Sequence, residues 1–514
     1  MSKSLQKEKS KKKKLSFPSC YTIMLIVLIL VMGLTYIVPS GKYATLSYNA
    51  DSNLFEVISP NGDTTNYDAT QDTLDELGLK IDLEKFTNGS IRKPVGIPNT
   101  YETVETEEKT FIKSIVELLN APIQGIYEGV DIIAFILVLG GLIGIVNNTG
   151  AFSAGIGALS KKLKGKELWL IVIVTILIAL GGTTFGLAEE TIAFYPILIP
   201  IFLAAGYDAL VGIAAIYLGS SMGTMASTVN PFSTIIASDT AGINWTSGIL
   251  MRGSMLIIGT AICIFYTIRY AEKVKKDPTK SLIYSQKKEL EDHFLANYDE
   301  ENIPEFNFRR KLILVLFAGA FGVMIYGVSQ LGWWFGEMTA LFLGITIIMA
   351  FFAQLSEKDF VNEFVKGASD LLSVALLVGI SRGITIIMNN GLISDSILYY
   401  TSNLVSGMNN IIFSTVIFII YNVLGFFISS SSGLAVLSMP IMAPLADVVG
   451  VGRNVIVDAY QYGQGLINFI TPTGLVLASL ALVNVTYDKW LKFVMPLVGI
   501  IAVLSVVMLG IATI

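Results

Sequence analysis

The sequence predicts an all-α polytopic membrane protein built from two inverted repeats, each carrying a re-entrant hairpin and a broken helix. Three observations carry that expectation. Of 514 residues, 53% are hydrophobic and only 15% are charged, with a mean hydropathy of +0.65, outside the range of ordinary soluble domains. Apolar runs long enough to cross about 30 Å of hydrocarbon recur from Tyr21 to the last residue. Finally, Pro196-Ile197-Leu198-Ile199-Pro200 returns as Pro440-Ile441-Met442-Ala443-Pro444, an offset of 244 (440 − 196).

The chain opens with seven lysines within residues 3–14, whereas residues 39–110 hold thirteen acidic side chains against six basic ones. The positive-inside bias then places the N-terminus in the cytoplasm and the acidic segment outside, in a multi-pass protein of the cell (inner) membrane. A basic start before an apolar run also describes a signal peptide. Here Leu25 to Val38 leads to no small-residue cleavage site, and Pro39-Ser40-Gly41 reads as a turn. Full spans are expected near 20–38, 130–148, 209–238, 247–269, 312–330, 338–354, 369–388, 455–480 and 490–513. The basic clusters Lys161–Lys166, Arg269–Lys280 and Arg309–Lys311 then share one side.

Thr110–Glu128 and Glu357–Lys366 alternate charged and apolar residues at helical spacing and read as interfacial helices. The domain reading is a basic tail over 1–19, a first membrane half over 20–270 with an exposed, partly ordered loop at 39–110, a charged linker over 271–311, and a second half over 312–514. The stretches 167–205 and 405–449 carry small, polar or acidic residues at their centres, so each is either two spans or a re-entrant hairpin.

Further matches support a duplication. Gly206 maps to Gly450, Glu128-Gly129-x-Asp131 to Lys366-Gly367-x-x-Asp370, Asn147-Asn148 to Asn389-Asn390 and Asn230-Pro231 to Thr471-Pro472, in one order at nearly constant offset. The expected topology runs the copies in opposite directions, the architecture of alternating-access carriers with a site at the repeat interface. The span at 312–330 joins the halves.

The hairpin tips, 181–191 and Ser429–Gly433, are the first candidates for that site, because a chain reversal in the membrane exposes N–H and C=O groups that a hydroxyl, ion or substrate must satisfy. In the first tip Glu189, Glu190 and Thr191 either contact substrate or cap the following helix. Ser431 and Ser432 take the equivalent place in the second. The broken helices, 219–234 and 461–474, add Asn230, Thr471 and Thr473 as substrate contacts, and Thr184, Ser227, Thr228, Ser430 and Asn468 supply oxygens for an ion. Close helix packing explains their glycines but not the concentration of hydroxyls. Mid-span Arg382 holds its proton and needs a carboxylate, either from substrate or from Asp370 or Asp458; Asp458 is itself a candidate contact.

At these residues the chain resembles the YfcC family of the ion transporter superfamily, related to anaerobic four-carbon dicarboxylate carriers and to basic amino acid antiporters. The resemblance rests on Gly-Gly-x-x-Phe-Gly-x-x-Glu-Glu at 181–190, Asn230-Pro231-Phe232, the Ser-rich tip leading to Pro440 and Pro444, and Ile470-Thr471-Pro472-Thr473. It implies a secondary transporter whose tips carry Ser-Asn-Thr and hold Na⁺ and a carboxylate substrate. Here the tips read Glu189-Glu190-Thr191 and Ser431-Ser432-Gly433. Two added negative charges suit a cationic group, with Arg382 left for an α-carboxylate: an arginine- or ornithine-like substrate under exchange. Na⁺-coupled dicarboxylate uptake is the alternative.

Cys20 and Cys263 offer no C-x-x-C spacing, and the one histidine, His293, lies in the charged linker. Neither a disulfide framework, a metal site nor a histidine-based enzyme is therefore expected. No cofactor is expected beyond a coupling ion, Na⁺ or H⁺. The expected partners are a small-molecule substrate and the lipid bilayer, with no nucleic acid; a homodimer is compatible with the sequence.

Overall fold

The computed structural model describes residues 18–88, 91, 94–105, 110–155, 158, 166–295, 304–331, 333–403 and 408–513. The lysine-rich start and the basic run at 161–165 lie outside the described residues. Among the described residues eight helices are long and apolar enough to cross a membrane, and the membrane region is all-α.

The helices form two packed groups. In the first, Cys20–Leu34, Phe111–Glu128, Val130–Asn148 and Phe335–Ala353 gather about the long helix Glu357–Asn390, with Phe308–Leu331 beside Phe335–Ala353. In the second, Leu168–Phe185, Ala209–Met225 and Ile249–Lys276 pack with Asn410–Phe427, Arg453–Asn468 and Tyr487–Ala512. This second group holds both polar chain reversals.

Glycines set the closest approaches. A Cβ on Gly367 would lie 2.2 Å from the Gly140 carbonyl oxygen, and one on Gly140 would lie 2.5 Å from that of Gly367. The two backbones therefore touch, as small residues permit between membrane helices. Gly140→Leu is expected to lower the melting temperature sharply, by overpacking worth at least about 1–3 kcal/mol. Gly253→Leu, where an added Cβ meets nothing within 4 Å, is the control, and equal melting of the two variants would contradict this packing.

The same contact explains a departure from expectation. Glu357–Lys366 and the span 369–388 are one continuous helix, Glu357–Asn390, capped by the Ser356 side chain accepting from the Asp359 amide. Gly367 is a contact point rather than a break. At about 1.5 Å per residue the helix outruns the hydrocarbon core, so its charged first turns can stand clear of it.

Both polar stretches are helix–break–helix units. Leu168–Phe185 stops at Gly186, whose φ of +80° is left-handed, and a tight turn over Glu189–Phe194 leads into Tyr195–Ala204. Asn410–Phe427 breaks at Ile428–Ser430 before Ser431–Val449. The first arms begin and end at the same offset, 242 (410 − 168 and 427 − 185). The helices that follow, Ala209–Met225 and Arg453–Asn468, are each interrupted before a short continuation, Ile236–Thr240 and Val476–Leu482.

The described residues of 39–110 hold a folded β domain where the sequence suggests an exposed, partly ordered loop. Strands Thr64–Asp68, Leu54–Ile58, Thr45–Asn49 and Val95–Gly96 form a four-stranded antiparallel sheet in that order. Leu46, Phe55, Leu74, Phe86 and Val95 give it a core of its own. The domain rests on two short helices: Tyr101 stacks on Tyr399 at 4.0 Å and the Tyr43 amide donates to Asp395 at 2.9 Å on Ser394–Asn403, and Lys85 pairs with Asp239 at 3.1 Å on Ile236–Thr240.

Candidate functional site

The two chain reversals meet in one cavity of about 720 Å³ between the helix groups, within the range of small-molecule sites. Its walls follow from how each tip is stitched to the neighbouring broken helix. At the first tip the Asn230 side chain donates to the Gly182 carbonyl at 3.3 Å and accepts from the Phe232 amide at 2.8 Å. Thr183 Oγ1 accepts from the Thr228 amide at 2.9 Å, and Ser220 donates to the Leu187 carbonyl at 2.6 Å. Gly186 must stay bare, since a Cβ there would lie 2.9 Å from Asn230 Oδ1. At the second tip Thr473 donates to the Phe426 carbonyl at 2.7 Å and the Tyr460 hydroxyl to the Ser431 carbonyl at 2.8 Å. The Asn230–Gly182 and Thr473–Phe426 bonds hold equivalent places, at offsets of 243 and 244 (473 − 230, 426 − 182). Peptide groups freed by the breaks are thus satisfied locally, which keeps irregular backbone stable at membrane depth.

Charge in the cavity is one-sided. Among the described residues that line it are Glu189 and Glu190 of the tip, Glu128 and Asp131 of the opposite group, and one arginine, Arg382. Arg382 donates to the Glu128 carbonyl at 2.8 Å and makes no ion pair within 4 Å among the described residues. Glu189 lies within electrostatic reach of both Arg382 and Asp131. Glu190 turns back to accept from the Ala188 amide at 3.1 Å, so capping and cavity lining coexist in one side chain.

The family described as C4-dicarboxylate anaerobic carrier, DcuC, matches residues 17–514. The chain belongs to the DcuC family. It is 34% identical over 414 residues, 76% of this chain and 81% of the relative, to "Putative basic amino acid antiporter YfcC" of Escherichia coli (strain K12). An uncharacterized protein of Haemophilus influenzae (strain Rd) is 48% identical over 499 residues, 97% of each chain. Among solved structures, the antimetabolite efflux pump MtrF of Neisseria gonorrhoeae aligns with a TM-score of 0.41 and 15% identity over 97% of this chain and 96% of that one. The YdaH transporter of Alcanivorax borkumensis aligns at 0.40 and 12% over 96% and 98%. This DcuC-family chain is a membrane transporter of the DcuC/YfcC type and not an enzyme.

Within the DcuC-family chain the cavity gathers Glu189, Glu190, Thr191, Asn230 and Arg382 with Ser430, Ser431, Ser432, Asn468 and Thr473. Five of the residues singled out in the sequence stand elsewhere. Thr184 is exposed and donates to the Leu180 carbonyl at 2.6 Å. Ser227 is fully buried against Ser233 and Thr234, Thr228 is tied to Thr183, and buried Thr471 bonds Thr473 at 2.8 Å; none of the three lines the cavity. Asp458 pairs with Arg252 at 2.8 Å, both side chains being 0% exposed. Arg382 therefore does not pair with Asp458, and no ion pair joins it to Asp370 either. The two charges are separated because Asp458 faces the helix Ile249–Lys276 within its own group.

Sequence reasoning missed Glu128 and Asp131 as cavity residues, and Trp333 and Trp334 altogether. Asp131 carried a signal, an acid at the head of an apolar span, but served only as a marker of the repeat. A Trp pair beside a span reads equally as an interfacial belt, so it points to no site by itself.

Proposed function

We propose that the chain exchanges basic amino acids across the cell (inner) membrane, with the N-terminus in the cytoplasm and the two helix–break–helix units acting as re-entrant hairpins. The observation that carries this reading is the cavity lining: four acidic residues against one arginine among the described residues. A basic amino acid brings two cationic groups and one carboxylate, which that lining complements. A four-carbon dicarboxylate would add two negative charges to a site already rich in them. Arg382, with donors to spare, serves the α-carboxylate, and the tip carboxylates take positive charge. Transport follows if the group bearing both tips shifts against the group bearing Arg382, carrying the site from one side to the other. The orientation rests on the N-terminal lysines and the acidic character of 39–110.

The family description favours the dicarboxylate reading, as does an Arg382 with no ion-pair partner among the described residues. Counterflow in proteoliposomes separates the two. Vesicles preloaded with arginine are expected to accumulate labelled arginine and to ignore succinate; Na⁺-dependent succinate uptake without arginine exchange would replace this proposal by the other.

A further inference from the structure

A basic amino acid carries two cations at opposite ends, and the cavity holds two acidic stations on different helix groups. Glu189 and Glu190 belong to the hairpin tip, whereas Asp131 opens the helix Val130–Asn148 of the opposite group. The stations differ in their surroundings. Asp131 is fixed at both oxygens: Oδ1 accepts from the Ile132 amide at 2.8 Å and Oδ2 from the Trp334 indole N–H at 3.0 Å. Trp334 in turn stands edge-to-face with Phe232 at 5.1 Å and with Phe335 at 5.3 Å, and all three rings line the cavity. Phe232 follows the Asn230-Pro231 break of the tip-bearing group, so the aromatic wall is completed only where the two groups meet.

A carboxylate held rigid beside indole and phenyl surfaces suits a delocalised, weakly hydrated cation. Guanidinium offers a planar fork to the free lone pairs of the carboxylate and lies well against aromatic faces. A compact ammonium is more strongly hydrated and gains less from that setting. Glu189 and Arg382 line the same cavity, so this pair fits the α-amino and α-carboxylate groups. Resting on the reading of a basic amino acid as substrate, we propose that Asp131 and Trp334 form the subsite for the side-chain cation and select a guanidinium over an ammonium. The bound substrate would thereby bridge the two helix groups, its backbone end on the tip and Arg382 and its distal end on Asp131 and Trp334.

Titrating the purified full-length protein with arginine, lysine and citrulline, read as thermal shift, tests this assignment. Citrulline keeps the length of arginine with a neutral end. Wild type is expected to bind arginine more tightly than either. Asp131→Asn should weaken arginine about tenfold or more while leaving citrulline nearly unchanged. Trp334→Leu, which keeps every formal charge, should erase the preference for arginine over lysine; a loss of field alone would weaken both equally. If Asp131→Asn keeps the arginine-to-citrulline ratio within about twofold of wild type, or Trp334→Leu keeps the arginine-to-lysine ratio so, the subsite is overturned while basic amino acid binding stands. If wild type responds to neither arginine nor lysine, the reading beneath it fails and the subsite falls with it.

Discussion

Glu189→Gln is expected to reduce arginine counterflow in reconstituted vesicles by two to three orders of magnitude. The substitution keeps the length and planarity of the side chain and removes one charge, so the fold of the tip should persist. What is lost is the partner of a desolvated cation, and truncating one member of a buried, hydrogen-bonded charge pair costs roughly 2–5 kcal/mol. Glu190→Gln should act more mildly, since a glutamine oxygen can still accept from the Ala188 amide as Glu190 does at 3.1 Å. The two variants thus separate capping from cation contact at adjacent positions. Arg382→Gln should impair exchange of arginine yet spare binding of agmatine, which lacks the carboxylate. Counterflow that survives Glu189→Gln at close to the wild-type rate would remove the tip from the transport site.

The two polar reversals were legible because they depend on local signals. Gly, Pro and hydroxyl residues at high density mark backbone that is tolerated at membrane depth only where it is buried in protein or lines a cavity, and the offset of 244 between the Pro-Ile-x-x-Pro copies lies within two residues of the 242 between the first arms. Glu357–Lys366 was misread because its charge pattern differs from that of 369–388, although nothing between them ends a helix. The β domain escaped notice for another reason. Its strands are at most five residues long, and its core joins Leu46 and Phe55 to Leu74, Phe86 and Val95 across polar sequence, so no single window shows a buried face. Partners distant along the chain were hardest to see. Asp131 meets Trp334 across 203 residues, and Asp458 meets Arg252 across 206; periodicity carries no information about either.

That last pair gives the largest expected effect on stability. Arg252 and Asp458 are 0% exposed and joined at 2.8 Å, and the arginine also donates to the Trp245 carbonyl. Gly248 makes room for them, because a Cβ there would lie 3.0 Å from Arg252 Nη1 and 3.1 Å from Asp458 Oδ2. Arg252→Met removes the counter-charge and leaves a buried carboxylate alone, a loss of about 3–5 kcal/mol that should appear as a large fall in melting temperature in detergent. Asp458→Leu alone strands the guanidinium and should cost a similar amount. The double variant removes both charges together, and since apolar replacement of a buried pair is often neutral or better, it should recover most of the lost stability. Recovery of arginine counterflow along with stability would make the pair a fastening between the last helix of the first half and the broken helix of the second. A double variant that melts like wild type but no longer exchanges arginine would instead return Asp458 to the transport pathway, where its sequence position first suggested it belonged.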